Sequence, residues 1–148
     1  MRKMTINDTD RSAIADLVAE FAWRIDHEAG HGVEDLFTED GTYDLAGWSH
    51  TGREALRRSY RMRAAQGPRT SRHIFTNLRV RSSTTSDTAT GTCVLTLHAR
   101  DGRPPHPLSP VMVADYVDTY HRDIDGNWRF GTRIVSIVFV QVPDDAAV

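Results

Sequence analysis

The sequence predicts an α+β fold, and three observations carry that prediction. Apolar residues recur at spacings of three and four near the N-terminus, β-branched runs with a period of two fill the second half, and Asp125-Gly126 lies between two long apolar runs as a hairpin turn. Helices gathered at the front and followed by long antiparallel strands imply layers, with a curved sheet wrapping round helices and able to enclose a pocket.

Asn7 or Asp8 can cap the first helix, in which Ile14, Leu17, Val18, Phe21, Ala22 and Ile25 follow the helical period. Asp26 lies at the edge of that apolar stripe, where a carboxylate needs a partner. His27 to Gly32 reads as a turn into a short helix over Val33 to Phe37, ended by Thr38-Glu39-Asp40-Gly41. Thr42 to Ala46 reads as a short strand and Gly47 to Gly52 as a loop. A helix from Arg53 to about Ala65 follows, with Thr51 as its cap, until Gln66-Gly67-Pro68 breaks it.

The run Ser71 to Val80 alternates apolar and polar residues. A strand there puts His73, Phe75 and Asn77 on one face, and Ile74, Thr76, Leu78 and Val80 on the other. His73 is a candidate for proton transfer because its ordinary pKa lies near neutrality; the plainer alternative is a half-buried structural histidine. Ala89 to Ala99 is the next strand, carrying His98 on the parity of Thr92, Val94 and Thr96. The loop Asp101 to Pro107 is too rich in proline to hold a ladder and is a lid candidate. Val111 to Tyr120 and Trp128 to Ile137 form a long hairpin about Asp123 to Asn127.

The chain has 148 residues and a net charge of -2, with 39% hydrophobic and 26% charged residues. That length suits one domain over residues 1–148, and the composition excludes a disordered chain. The arginines Arg53, Arg57, Arg58, Arg61, Arg63, Arg69 and Arg72 lack interleaved aromatics, so a solvated helix face is read in preference to a nucleic-acid surface. The single cysteine, Cys93, permits no internal disulfide, and no Cys/His set has zinc-site spacing. With neither an apolar leader nor an eighteen-residue apolar run in the sequence, no membrane partner is expected and a cytoplasmic protein is.

The order of elements, and the residues on them, resemble the SnoaL-like branch of the nuclear-transport-factor-like superfamily, which includes scytalone dehydratase, bile-acid dehydratase and ketosteroid isomerase. The marks are Ile25-Asp26 closing the first helix, Asp35 to Tyr43 before the first strand, Arg72-His73 opening a strand, and Ile124 to Phe130 in the last hairpin. The resemblance implies a cone-shaped barrel in which N-terminal helices pack in a strongly curved, mostly antiparallel sheet enclosing a pocket. The fold hosts dehydratases, isomerases, hydrolases, cyclases and non-catalytic subunits, so it does not select the reaction.

In the scytalone dehydratase pattern the helix-end aspartate falls on Asp26, the two histidines on His73 and His98, and the strand tyrosine on Tyr43. The tyrosine preceding the aspartate is Ile25 here, and the serine and asparagine of the penultimate strand appear as Asp115 and Val117. The resemblance thus implies an Asp26/His73 acid-base pair. The carboxylate would fix the imidazole tautomer, Tyr43 would donate to a substrate carbonyl, and His98 would return a proton to a leaving hydroxyl.

Plainer roles exist for each: a helix-end salt bridge for Asp26, core packing for Tyr43, a strand-end surface position for His98, and a loop tie for Asn77. Asp115 shares a face with Val111, Val113 and Val117, where an unpaired charge is costly, so it is expected to be paired and to join the pocket. Trp23, Trp48, Phe75, Met112, Tyr116, Phe130 and Phe139 offer apolar surface for a hydrophobic ring ligand, with Asn77 and Asp115 as polar contacts.

His73, His98 and Asp26 formally make a two-histidine, one-carboxylate set, but the resemblance implies a site without metal or cofactor. Cys93 lies on the parity opposite His98, and no nucleophile-elbow motif is present. The expected activity is a dehydratase (lyase) or isomerase acting on a hydrophobic carbonyl compound. Two alternatives stand beside it: a non-catalytic ligand-binding or structural subunit like the β subunit of ring-hydroxylating dioxygenases, and an epoxide hydrolase-like enzyme. Apolar residues on both parities of the strands at Val111 to Tyr120 and Arg133 to Val142 predict a homodimer or homotrimer through the sheet face. The tail Pro143 to Val148 reads as an end or pocket cover.

Overall fold

A computed structural model describes residues 6–142, so the expectation for the tail after Val142 lies outside the described residues. The elements in order are α1 (Asp8–Glu28), a 3-10 turn (Val33–Leu36), β1 (Phe37–Leu45), β2 (Trp48–Thr51), α2 (Arg53–Ala64), β3 (Arg69–Ser82), β4 (Thr88–Asp101), β5 (Met112–Arg122) and β6 (Trp128–Val140). The strands form one six-stranded sheet in the order β2-β1-β6-β5-β4-β3. All pairings are antiparallel except β1 with β6. The α+β expectation of front helices against a curved, mostly antiparallel sheet therefore holds.

α1 starts where Asn7 caps it, its Oδ1 accepting the Asp10 N–H at 2.7 Å. The stripe Ile14, Leu17, Val18 and Phe21 is buried. The helix stops in a left-handed turn at Ala29 and Gly30, with the Gly30 N–H donating to the Arg24 carbonyl at 2.8 Å. The Arg24 guanidinium then ties the next turn by donating to the Gly32 carbonyl at 2.6 Å.

Three local expectations give way. The segment from Thr38 to Gly41 continues β1 instead of ending a helix, and Trp48–Thr51 is a strand paired with it. Thr51 does not cap α2; its hydroxyl lies 3.0 Å from that of Thr42, and Gly52 is the capping residue without a side-chain bond. A hairpin strand leaves no free position for a cap.

The third concerns sheet faces. Between Thr76 and Arg79 the register of β3 against β4 shifts, and Asn77 there has φ of 57°. A bulge with an asparagine in the left-handed region inserts one residue and swaps parity beyond it. Ser71, His73 and Phe75 thus share the inner face with Val80 instead of with Asn77, which is exposed. A second shift, between Thr119 and Tyr120, sits at Gly131 of β6. A Cβ there would come within 2.5 Å of the His121 ring.

The core on the inner face is dominated by rings. Phe21 meets Phe37, Tyr43, Phe75 and Phe130 edge-on at centroid distances of 6.3, 5.6, 6.0 and 5.8 Å. Gly30 seats the C-terminal end of α1 against α2: its φ is +81°, and an added Cβ would lie 2.5 Å from Tyr60 Cδ1. Gly30→Ala combines a forbidden φ with that clash and is expected to destabilise the fold by about 1–3 kcal/mol, read as a lowered melting temperature.

Candidate active site

β3 is an edge strand, so the side turned away from β4 carries unpaired backbone groups. The end of α1 covers that edge with Asp26. Its Oδ2 accepts the His73 backbone N–H at 2.8 Å, while its Oδ1 accepts from Ser71 Oγ at 2.8 Å and lies 2.7 Å from His73 Nδ1. Both side chains are largely buried, at 13% exposure for His73 and 5% for Asp26.

A carboxylate only accepts, so Nδ1 carries the proton and Nε2 of a neutral ring keeps its lone pair. Nε2 makes no hydrogen bond among the described residues. Burial pushes the Asp26 carboxyl up, but the His73 ring and backbone N–H bonds, the imidazole charge and the Ser71 hydroxyl outweigh it and hold it below its ordinary value.

The remaining residues sort by face. Met112 lies opposite Leu97, which lies opposite His73, so all three share the inner face. Phe75 stacks near the His73 ring at 6.4 Å and meets Tyr116 edge-on at 5.0 Å. The Tyr43 and Tyr116 hydroxyls are 2.8 Å apart in the interior. Burial raises both phenols, with the nearby Arg133 charge opposing the rise. Asp26, His73, Tyr43, Phe75 and Met112 are thus gathered on one side of the sheet, with Tyr43 two rings removed from the imidazole.

Six expected residues are not gathered there. His98 lies opposite Arg72 on the outer face, because its parity is that of Thr96 and not of Leu97. It cannot serve the pair, nor join His73 and Asp26 around a metal. Among the described residues no cluster of three His, Cys, Asp or Glu side chains could hold an ion. Asp115 is exposed on that outer face and makes no ion pair among the described residues. Asn77 is the exposed bulge residue. Phe139 is 68% exposed where it pairs with Val113 beyond a register shift of β5 against β6, and Trp23 is 53% exposed on the outside of α1, its ring 4.1 Å from that of His27. Trp48, at 76% exposure, also lines no interior.

A further buried carboxylate is Asp118, two residues along β5 from Tyr116 on the same parity. It faces Arg133 across the β5–β6 ladder and is wholly buried with it. Arg133 Nε and Nη2 donate to Asp118 Oδ1 and Oδ2 at 2.9 and 3.1 Å, and the Tyr120 hydroxyl donates to Oδ2 at 2.9 Å. The guanidinium carbon lies 4.3–4.9 Å from the ring centres of Phe130, Phe21, Tyr116 and Phe75. Burial lowers its pKa, but the Asp118 charge and hydrogen bonds, with the charges of Tyr116 and Cys93, outweigh burial and hold it above its ordinary value.

Sequence reasoning missed this pair because the Gly131 bulge turns Arg133 inward against simple alternation. The parity of Ala114, Tyr116 and Tyr120 was the available signal for Asp118. Ser71, on the parity of His73, was legible in the same way. Buried Cys93 has its thiol pushed up to about 11 by burial, with the Arg133 charge opposing. That excludes a resting thiolate nucleophile.

A SnoaL-like domain model matches residues 8–134. The chain belongs to the SnoaL-like domain family. Solved structures share the fold. A protein of unknown function with a cystatin-like fold from Nostoc punctiforme is 24% identical with a TM-score of 0.77, covering 91% of this chain and 96% of its own. A provisionally assigned scytalone dehydratase from Novosphingobium aromaticivorans is 19% identical with a TM-score of 0.77, covering 90% and 87%. A protein of unknown function from Mycobacterium tuberculosis is 24% identical with a TM-score of 0.74, covering 96% and 83%. A comparison with curated proteins finds no match. No helix among the described residues is long and apolar enough to cross a membrane.

The lowered Asp26 carboxyl gives a pH signature. A carboxyl more acidic in the folded state than its ordinary 3.8 stabilises the fold above that value. That stability is lost as pH falls through the folded-state pKa. Ser71→Ala removes one of the three donors and is expected to move the carboxyl back up. A carbon-detected NMR titration of Asp26 would read the shift, and denaturant unfolding would show a smaller loss of stability on acidification, complete at higher pH than in the unmodified protein.

Proposed function

We propose that this SnoaL-like protein is a cofactor-independent lyase or isomerase that removes a proton α to the carbonyl of a hydrophobic substrate. The observation that carries the reading is the triple hydrogen bonding of Asp26, which fixes the His73 tautomer with Nε2 free. His73 acts as base through Nε2, and the adjacent carboxylate stabilises the imidazolium that results.

The Tyr43–Tyr116 hydroxyl pair supports stabilisation of the developing enolate: one hydroxyl donates to the other, and the acceptor keeps a proton to give to a substrate oxygen. With His98 on the far face, return of the proton falls to His73 itself, either to a leaving hydroxyl, which makes a dehydratase, or to another carbon, which makes an isomerase. Phe75 and Met112 supply apolar contact for the substrate. The dioxygenase-subunit alternative has no use for a buried Asp/His pair. The hydrolase alternative wants a carboxylate, an arginine and an amide around a water, but Asp118 and Arg133 are turned on each other and Asn77 is outside.

His73→Ala is expected to lower proton abstraction by about 10²–10⁴-fold. NMR of α-proton exchange in deuterated buffer, across a panel of hydrophobic ketones and enones, reads this without knowledge of the natural substrate. Exchange at the wild-type rate in that variant would sink the mechanism, and exchange by neither protein would favour the non-catalytic alternative.

We further infer a homodimer or homotrimer through the outer sheet face, where paired Val117 and Ile134 are 50% and 48% exposed. Light scattering at micromolar concentration is expected to give a multimeric mass, and Ile134→Glu a smaller one.

A further inference from the structure

β6 runs further than the strand beside it. β1 ends at Leu45, opposite Val135, and the Ala46 N–H makes the last bond across, to the Val135 carbonyl at 3.1 Å. Past that point β6 keeps a partner on its other side only: Ile137 pairs with Ala114, Phe139 with Val113 and Val140 with Met112, and the Gln141 N–H donates to the Val111 carbonyl at 2.9 Å. From Ser136 to Val142 the N–H and C=O groups turned away from β5 therefore have no backbone partner among the described residues. The side chains are as bare as the backbone. Ile137, Val138, Phe139, Val140 and Val142 are 41–68% exposed, with Phe139 on the outer face and Ile137 and Val140 on the inner one. The stretch contains no charge and no proline until Pro143 ends it, since proline has no N–H to give. Native edges are ordinarily blunted by lysine, proline, an inward charge or a bulge; only the bulge is present, with Val138 as its extra residue.

We propose that Ser136 to Val142 is a strand-addition edge whose occupant is the same segment of a second copy of this chain, paired antiparallel about a two-fold axis. Three features select that occupant. An isologous pair satisfies the free edge of both chains at once and closes, leaving no template there for a third chain. The segment is uncharged, so two copies that each carry a net charge of -2 meet at this edge without setting like charges against each other. The free length is also the segment's own, bounded by the turn at Ala46-Gly47 on one side and by Pro143 on the other.

This contact differs from one through the outer face, because backbone bonds make it and the sheet continues from one chain into the next. It also has a place relative to the site. Val140 ends the inner-face row that runs from His73 through Leu97 and Met112, and Ile137 ends the row from Phe75 through Leu95 and Ala114. A strand added beside them extends that apolar inner face, so each copy completes the binding surface of the other. That consequence rests on the Asp26/His73 reading; the contact itself does not.

Hydrogen exchange of the intact chain at micromolar concentration, read by mass spectrometry on peptides over residues 136–142, tests the edge directly. Val140→Lys, at an exposed inner-face position, sets two ammonium groups against each other near the axis. These peptides are expected to exchange about tenfold faster in Val140→Lys than in wild-type protein, while peptides over α1 keep their protection and so report an intact fold. Should Val140→Lys not fold, Val138→Lys at the exposed bulge serves in the same way. Ile134→Glu, which disturbs the outer face, should leave the slow exchange of the edge in place. The readout needs no turnover, so failure of the base assignment leaves it standing. Edge peptides that exchange equally in folded wild-type and lysine-variant proteins, or that lose their protection in Ile134→Glu, overturn the proposal. Equal and slow exchange would assign the edge to residues 143–148 of the same chain, and equal and fast exchange would leave it unoccupied.

Discussion

The carboxylate of Asp26 is the joint on which the arrangement depends. It comes from the last turn of α1, and it accepts the side chain of Ser71 together with both the backbone and the ring of His73. Buried with fewer donors, it would impose a desolvation cost of several kcal/mol on the fold. With three, it closes the exposed edge of β3, fixes where α1 crosses the sheet and sets the imidazole tautomer at once. Phe21, little more than one turn earlier on the helix, is thereby driven into the centre of the ring cluster. The aromatic interior and the Asp26–His73 pair both follow from where α1 docks on the sheet.

Much of the fold was legible because its signals are local. The helical period of Ile14 to Ile25, the long β-branched runs and the Asp125-Gly126 turn each report on their own segment. The Gly126 N–H does close that turn on the Asp123 carbonyl at 3.0 Å. The pairing of Asp26 with His73 followed from the helix-edge position of the carboxylate and from the resemblance together, and the place of Phe75 from the parity it shares with His73. What failed was parity carried through a bulge. Asn77 and Gly131 each insert a residue that alternation cannot anticipate, so Asn77 left the site and Arg133 entered it.

The error over Asp115 has a different physical source. The cost of a charge among valines was real only if that face was buried in the chain, and it is the outer one. The same reasoning applied to the other parity of β5 selects Asp118, which is buried, paired and doubly bonded by Arg133. His98 fell to the same ambiguity. A histidine one strand away from His73 can be its neighbour or its opposite, and the cross-strand register decides, with Leu97 and not His98 facing His73. Sequence spacing fixes which residues share a face, whereas tertiary pairing decides which face holds the chemistry.

The interior thus contains a hydrogen-bonded Asp–His pair, Asp26 with His73, and an ion pair, Asp118 with Arg133, set among aromatic rings. Stability does not explain the second. A buried ion pair is commonly matched or exceeded by well-packed apolar side chains of the same volume, and four rings already surround this one. An apolar pair at these positions would remove the desolvation cost along with Arg133 Nη1, which is buried without a hydrogen-bond partner among the described residues. What the pair does supply is geometry. Asp118 holds the Arg133 guanidinium by two bonds among the rings, as Asp26 holds His73 by its backbone and its ring, so each side chain is kept in one orientation that packing alone would not specify.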